Sequence, residues 1–315
     1  MMIRDDDKKL YKDFAIQLTR DLGSVGSARI PSDLILWHYT TGGAMIAILD
    51  SMTIFSTHLS CLNDTSELRY ASRLFQEALS NLRMASKGDE AELDLIDGAI
   101  KYFKEDVDFP AQSTVPHYVA CFSEQKDDLS QWRAYGGGEN GYAIGLKASN
   151  LRGCPGSLLA RVSYDEHLHQ VLAHRTAEAM VKFFFDGLRK YSPVDTAAWR
   201  QEFFEAWEKI ITMVAPMTKD PAFANEREYR IVKGIVADDY ASLKFFQKGS
   251  LISRHIPLRP PMNIPSKPYR LPIAEIIIGP CRHPQISRVS VDTLLRQKGY
   301  PTGLVSISKI PFQMT

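Results

Sequence analysis

Apolar residues recur along this chain with two different periods, and the switches between them mark its elements. Over residues 6–22, Leu10, Phe14, Ile16 and Leu18 gather near one face and Gly23 follows, which predicts an amphipathic packing helix. After a Gly/Ser-rich loop, Leu34-Ile-Leu-Trp-His-Tyr-Thr reads as a buried strand ending in polar groups, and Gly42-Gly43 opens a helix to about residue 50. Ile54-Phe-Ser-Thr is a second strand. Helices are expected over 66–86, where Asn63 or Asp64 suits an N-cap, and over 89–104. Tyr118-Val-Ala-Cys-Phe-Ser has the composition of a central strand; a short helix over 129–135, a turn at Gly136-Gly137-Gly138 and a returning strand Tyr142-Ala-Ile-Gly-Leu follow it.

A strand at 160–164 precedes two long helical patterns, 166–190 and 195–217. The last third returns to strands at 229–236, 250–257, 273–279 and 304–308, with a helix near 289–298. Strands spread over the whole length with helices grouped between them predict an α+β fold. The expected organisation is an N-terminal helix (1–30), an α+β domain in two parts (31–165 and 218–315), and a helical insertion (166–217).

At 315 residues the chain can bury a full-sized core without staples. The 38 basic and 37 acidic residues nearly cancel, so no global field draws it to nucleic acid or anionic lipid. Cys61, Cys121, Cys154 and Cys281 form no C-x-x-C pair, which suggests reduced, mostly buried thiols and neither a zinc ribbon nor a disulfide framework. The N-terminal stretch lacks a secretory apolar segment and no later run suits a membrane span, so the expected setting is the cytoplasm, with no membrane partner. Self-association is left open.

Generic enzyme signatures such as a Walker A loop, G-x-G-x-x-G, H-E-x-x-H or G-x-S-x-G are absent from the sequence. Four short polar-aromatic motifs remain, around His38, Ser123 to Tyr135, Glu226 to Arg230 and Gly279. His38 ends an apolar strand beside Tyr39 and Thr40, where an imidazole can bond a ribose hydroxyl and a tyrosine can stack on a base; a structural histidine is the ordinary alternative. Ser123 leads into the densest cluster, in which Gln131, Trp132 and Tyr135 share one side of a helix. That side either lines an aromatic pocket or plugs the core. Glu226-Arg227-Glu228-Tyr229-Arg230 opens a strand whose alternation sends Glu226, Glu228 and Arg230 to one face. Such a face is either solvated charge or a pair of carboxylates suited to stabilising a developing cation. His167, His169 and His174 do not share one helical face, so no metal is expected there. Arg254, Arg259, Lys267 and Arg270 lie among prolines and suggest an exposed basic loop.

Taken in order, Trp37-His38-Tyr39-Thr40, Leu62-Asn63-Asp64-x-x-Glu67, Phe122-Ser123 with Trp132-x-x-Tyr135, Glu226-x-Glu228-x-Arg230 and Ile276-Ile-Ile-Gly279-Pro280 resemble a widespread bacterial domain family of unassigned function. That family is remotely similar to ADP-ribosyltransferases. The resemblance implies a split, mostly antiparallel sheet and NAD as substrate. His38 would then hold a ribose, Tyr39 or Tyr135 would stack on nicotinamide, and Ser123 would fill the middle-strand position. Glu228 would bond the ribose 2′-hydroxyl and Glu226 would orient the acceptor, with Thr40, Trp132 and Arg230 completing the site. The middle motif is Phe-Ser-Glu and departs from the Ser-Thr-Ser of one transferase branch.

The leading expectation is an ADP-ribosyltransferase-like enzyme that cleaves the nicotinamide-ribose bond and modifies a macromolecular acceptor. The resemblance also implies a bacterial-defence setting. A binding module for a nucleotide or phage component, using the same residues without turnover, is the alternative. A hydrolase with Glu226, Glu228 and Asp64 around magnesium is a third. Both transferase and hydrolase readings require their carboxylates to converge; the transferase further requires His38 and Glu228 in one hollow.

Overall fold

The computed structural model describes residues 13, 30–62, 66–86, 89–105, 117–137, 141–191, 195–234, 241–248, 251–262 and 268–311. Apart from Asp13, the helix expected over 6–22 lies outside the described residues, as does the N-cap expected at Asn63 or Asp64. The chain forms two compact units, one of residues 1–26, 59–117 and 163–223, the other of 27–58, 118–162 and 224–315.

The second unit contains the sheet. Its strands are β1 (Ile35–Thr41), β2 (Ile54–His58), β3 (His117–Ser123, whose first residue falls in the other unit), β4 (Gly141–Lys147), β5 (Ser157–Arg161), β6 (Glu228–Gly234), β7 (Lys244–Lys248), β8 (Leu251–Leu258), β9 (Ile273–Ile278) and β10 (Val305–Ile307). They run in the order β10-β9-β4-β1-β3-β2-β8-β7, with β6 joining β3 and β5 joining β6. The registered pairs are antiparallel except β10 with β9, so the architecture is α+β with a mostly antiparallel sheet.

Alternation along these strands produces two apolar faces. Leu36, Phe122, Ile144, Tyr229, Ile231, Ile276 and Ile278 share one core with Met45, Ile48 and Leu49 of helix α1 (Gly42–Ser51) and Val291 and Leu295 of a helix at Pro284–Gln297. Trp37, Tyr39, Ala143 and Ile277 form a smaller cluster with Trp132. Two glycines make room for that indole: a Cβ at Gly279 would lie 2.8 Å from Trp132 Cε3 and 2.9 Å from the Gly141 carbonyl, and one at Gly141 would lie 3.2 Å from the same ring carbon.

The first unit is helical: α2 (Ser66–Ala85), α3 (Glu90–Glu105), α6 (Glu166–Tyr191) and α7 (Thr196–Val214). The numbers α4 and α5 belong to Leu129–Tyr135 and Ala148–Arg152 of the sheet unit, and α8 to Pro284–Gln297. The two long helices expected as an insertion therefore do not stand alone. They pack with α2 and α3, through Phe75 against Trp207 (5.4 Å) and Tyr102 stacked on Phe204 (5.4 Å). Burial explains the grouping, since each helix has an apolar side that only another helix covers. None of the helices searched among the described residues is long and apolar enough to cross a membrane.

Three local expectations are corrected. Strand β5 begins at Ser157, earlier than residue 160, because its register pairs Ser157 to Arg161 with Lys233 to Tyr229. Strand β7 was not expected; Lys-Phe-Phe-Gln-Lys is short and closed by lysines, yet it pairs along its whole length with β8. Arg254, expected in an exposed loop, lies half-buried on β8, where its Nη2 is 3.2 Å from His58 Nδ1.

Candidate functional site

Three of the motifs that the sequence singles out, around His38, Ser123 and Glu228, meet at strand β3. Trp37 pairs with Ser123 across one edge of β3, and on the other edge the Glu124 amide donates to the Arg227 carbonyl at 3.2 Å. Neighbouring residues of a strand direct their main-chain groups to opposite edges, so β1 and β6 flank β3. The three strands that hold His38, Ser123 and Glu228 are consecutive in the sheet although some 190 residues separate the first from the last.

His38 is half-buried, and its Nδ1 lies 2.9 Å from the Cys121 carbonyl. A carbonyl can only accept, so Nδ1 holds the proton and Nε2 keeps its lone pair in the neutral ring. Burial lowers the His38 pKa, and the Cys121 carbonyl opposes that shift in part. The ring packs against Phe122, 5.6 Å between centroids. The histidine thus ties β1 to β3 beside their registered pair, Trp37 with Ser123.

Ser123 is fully used. Its hydroxyl donates to the Glu226 carbonyl at 2.8 Å and accepts the Gln125 amide at 3.1 Å. Tyr39 is likewise committed: its hydroxyl donates to the Gln125 carbonyl at 2.7 Å and accepts the Asp128 amide at 3.2 Å. Burial raises its pKa. Trp132 sits edge-on to Tyr39 (4.6 Å) and donates its indole N–H to Asp127 at 2.8 Å. Tyr135 is half-buried against the same cluster, and Thr40 is buried. Trp132 and Tyr39 are therefore parts of the core and do not line an open aromatic pocket.

Glu228 and Arg230 form the most distinctive pair of the unit. Arg230 Nε donates to Glu228 Oε1 and Nη2 to Oε2, each at 2.8 Å, with Arg230 1% and Glu228 6% exposed. The expected alternation holds for these two but not for Glu226. Strand β6 begins at Glu228, while Glu226 ends a 3₁₀ turn (Pro221–Glu226) and Arg227 adopts φ +44°. That left-handed residue breaks the two-residue period, so the strand pattern does not place Glu226 beside Glu228. Glu226 instead supplies its backbone carbonyl to Ser123.

His38 and Glu228 do not share a hollow. His38 alternates with Leu36 on the face that also holds Phe122, Tyr229 and Ile231, whereas Glu228 and Arg230 alternate with Tyr229 and Ile231 onto the other face. Strand β3 lies between their strands, two spacings of about 5 Å each.

Several contributors were not legible beforehand. Glu124 accepts Tyr229 Oη at 3.2 Å and Arg227 Nη1 at 3.5 Å, which fastens β6 to the end of β3. Asp127 accepts from Trp132, from Ser308 Oγ at 2.7 Å and from the Lys309 amide at 2.9 Å. Asp128 had a readable signal, an acidic residue just before a helix, and it caps α4 through the Gln131 amide at 3.1 Å. The roles of Glu124 and Asp127 are non-local and have no such signal.

The three histidines on α6 lie apart: His167 is exposed, His169 is buried and bonds Tyr70 Oη at 2.8 Å, and His174 pairs with Glu178 on the surface at 3.4 Å. None of the four cysteines is joined in a disulfide, and burial pushes the Cys154 thiol up to about 11.

A family model described as "Protein of unknown function (DUF2971)" matches residues 131–231. The matched span begins on α4 and ends on β6, so it takes in Trp132, Tyr135, Glu226, Glu228 and Arg230 and leaves out His38 and Ser123. The expectation of a domain family of unassigned function is met over that span. No curated protein and no solved structure matches the chain.

Proposed function

We propose that the sheet unit is an ADP-ribosyltransferase-like module for NAD in which Glu228, oriented by Arg230, is the working carboxylate. What supports this reading is the adjacency of β1, β3 and β6, the three strands whose motifs carry the resemblance, together with a carboxylate fixed at both oxygens by one guanidinium. In the reaction, the bond between nicotinamide and C1′ of its ribose breaks and nicotinamide leaves with the electron pair. A nucleophilic atom of a macromolecular acceptor bonds to C1′ and gives up its proton to solvent. Glu228 accepts the ribose 2′-hydroxyl and stabilises the positive charge on the ring; a preorganised carboxylate does this without reorienting. The shared hollow that the sequence called for is absent, so His38 is a positioning residue that holds β1 against β3, and the proposed chemistry rests on Glu228 alone. A bacterial-defence setting belongs to the same proposal and rests on the resemblance alone.

A second reading has its own observation. Both oxygens of Glu228 are engaged by Arg230, which suits a nucleotide-binding module without turnover. Purified protein incubated with labelled NAD and bacterial extract separates the two. Nicotinamide release with label on a macromolecule, both lost in Glu228→Gln, supports the transferase; saturable NAD binding with no release supports the binding module. Neither binding nor release overturns both.

A further inference from the structure

We propose that the outer edge of β7 receives an extended strand from a partner polypeptide whose side chains alternate between apolar and acidic. β7 is the last strand of the sheet order, and among the described residues no strand pairs with its outer edge. An open edge offers a row of main-chain donors and acceptors, and proteins normally blunt it with charge or proline. Here Lys244 and Lys248 close the strand, but apolar side chains stand between and beside them. Phe245 is 59% exposed and Ile252 68%, and the register pairs Phe245 with Arg254 and Gln247 with Ile252, so the two are diagonal neighbours on one face. Phe246 belongs to the other face and is anchored edge-on against Phe55 (5.0 Å) and His255 (5.1 Å). A free edge with apolar groups above and below it is what strand addition uses.

Charge decides the occupant. Between Asp239 and Glu275 the sequence contains no Asp or Glu, while Lys244, Lys248, Arg254, Arg259, Lys267 and Arg270 are all basic. A partner strand with carboxylates complements that segment. A second copy of this chain does not: antiparallel pairing of two β7 strands centred on Phe246 would set Lys244 of each copy opposite Lys248 of the other, and like charges directly opposite are destabilising. A lipid surface would engage the apolar groups and the lysines but leave the edge amides unused.

The test uses the full chain and a fluorescently labelled peptide, Glu-Ile-Glu-Val-Glu-Ile-Glu, with three comparisons: the same peptide with Lys for every Glu, an acidic peptide N-methylated at alternate residues on either edge, and phosphatidylserine vesicles. The acidic peptide is expected to bind, to weaken with added salt, and to bind at least about tenfold more weakly to the Phe245→Ser/Ile252→Ser variant. The Lys peptide and at least one N-methylated peptide are expected to lose a similar factor. Both substituted side chains are exposed, and an unchanged thermal midpoint verifies that the variant is folded. The inference is overturned by equal binding of acidic and Lys peptides, by N-methylated peptides that all bind as well as the parent, by vesicle binding without peptide binding, by no binding at all, or by a dimer that Phe245→Ser dissolves.

Discussion

Glu228 and Arg230, two residues apart on one strand, close a two-point ion pair at 2.8 Å and 2.8 Å while almost wholly withdrawn from solvent. Removing two charges from water is costly, and apolar replacements of similar volume often stabilise a protein as well or better. The pair therefore needs a reason beyond stability, and under the proposed function that reason is the orientation of the Glu228 carboxylate. Its energetics are open to direct measurement. Arg230→Met takes the guanidinium away from a buried carboxylate and is expected to lower stability by about 3–5 kcal/mol in urea unfolding. The double replacement Glu228→Leu/Arg230→Met is expected to recover most of that loss. A single-variant loss below about 1 kcal/mol would mean that the two groups are hydrated and the pair is incidental.

His38 gives a proton-linked prediction. Its pKa in the folded chain lies below the ordinary imidazole value of 6.5 because burial disfavours the imidazolium. The unfolded chain therefore takes up a proton first as pH falls. The stability that His38 contributes is complete above about pH 6.5 and declines as pH drops toward its folded pKa. His169 shifts in the same direction, chiefly through burial. The variant His38→Gln is thus expected to flatten part of the loss between neutral pH and about pH 5, with the His169 share remaining. At neutral pH, ¹⁵N spectra should report His38 protonated at Nδ1; a ring protonated at Nε2 alone would contradict the bond to Cys121.

Gly279 tests the packing beneath β1. Because a Cβ there would press on both the Trp132 ring and the Gly141 carbonyl, Gly279→Ala is expected to destabilise by about 1–3 kcal/mol and to shift the tryptophan emission. An unchanged unfolding midpoint would show that the indole can retreat.

Arg227 tests the break in the strand period. At φ +44° a side chain is strained and glycine is not. Arg227→Gly is expected to be at least as stable as the parent, whereas Arg227→Val should lose about 1–2 kcal/mol in chemical denaturation. Equal stabilities of the two variants would remove the strain.

These sites also mark where the sequence could and could not be read. Uninterrupted apolar runs such as Tyr118–Phe122 and Ile276–Ile278 announce buried strands, and Asp128 announces a helix start. The polar motifs were recognisable as a set because they dock on one another through Ser123, Glu124 and the turn before β6. Which face each one occupies was not legible. An arginine gives no sign of a left-handed backbone, so Glu226 was read as a strand residue. The separation of His38 from Glu228 depends on which strands flank β3, a matter of long-range pairing. The edge strand β7 was not legible because two of its five residues are lysines that interrupt the apolar pattern, although Gly249-Ser250 after it is a turn signal.

The central claim is that Glu228 works on the nicotinamide ribose of NAD. Its most direct measurement is nicotinamide release by the purified full chain with bacterial extract as acceptor source, comparing the parent with Glu228→Gln after circular dichroism has shown both to be folded. The account predicts release from the parent and a fall of at least about a hundredfold in the variant, about 2.7 kcal/mol of lost transition-state stabilisation. Equal rates from two folded proteins, or no release from the parent, would contradict it.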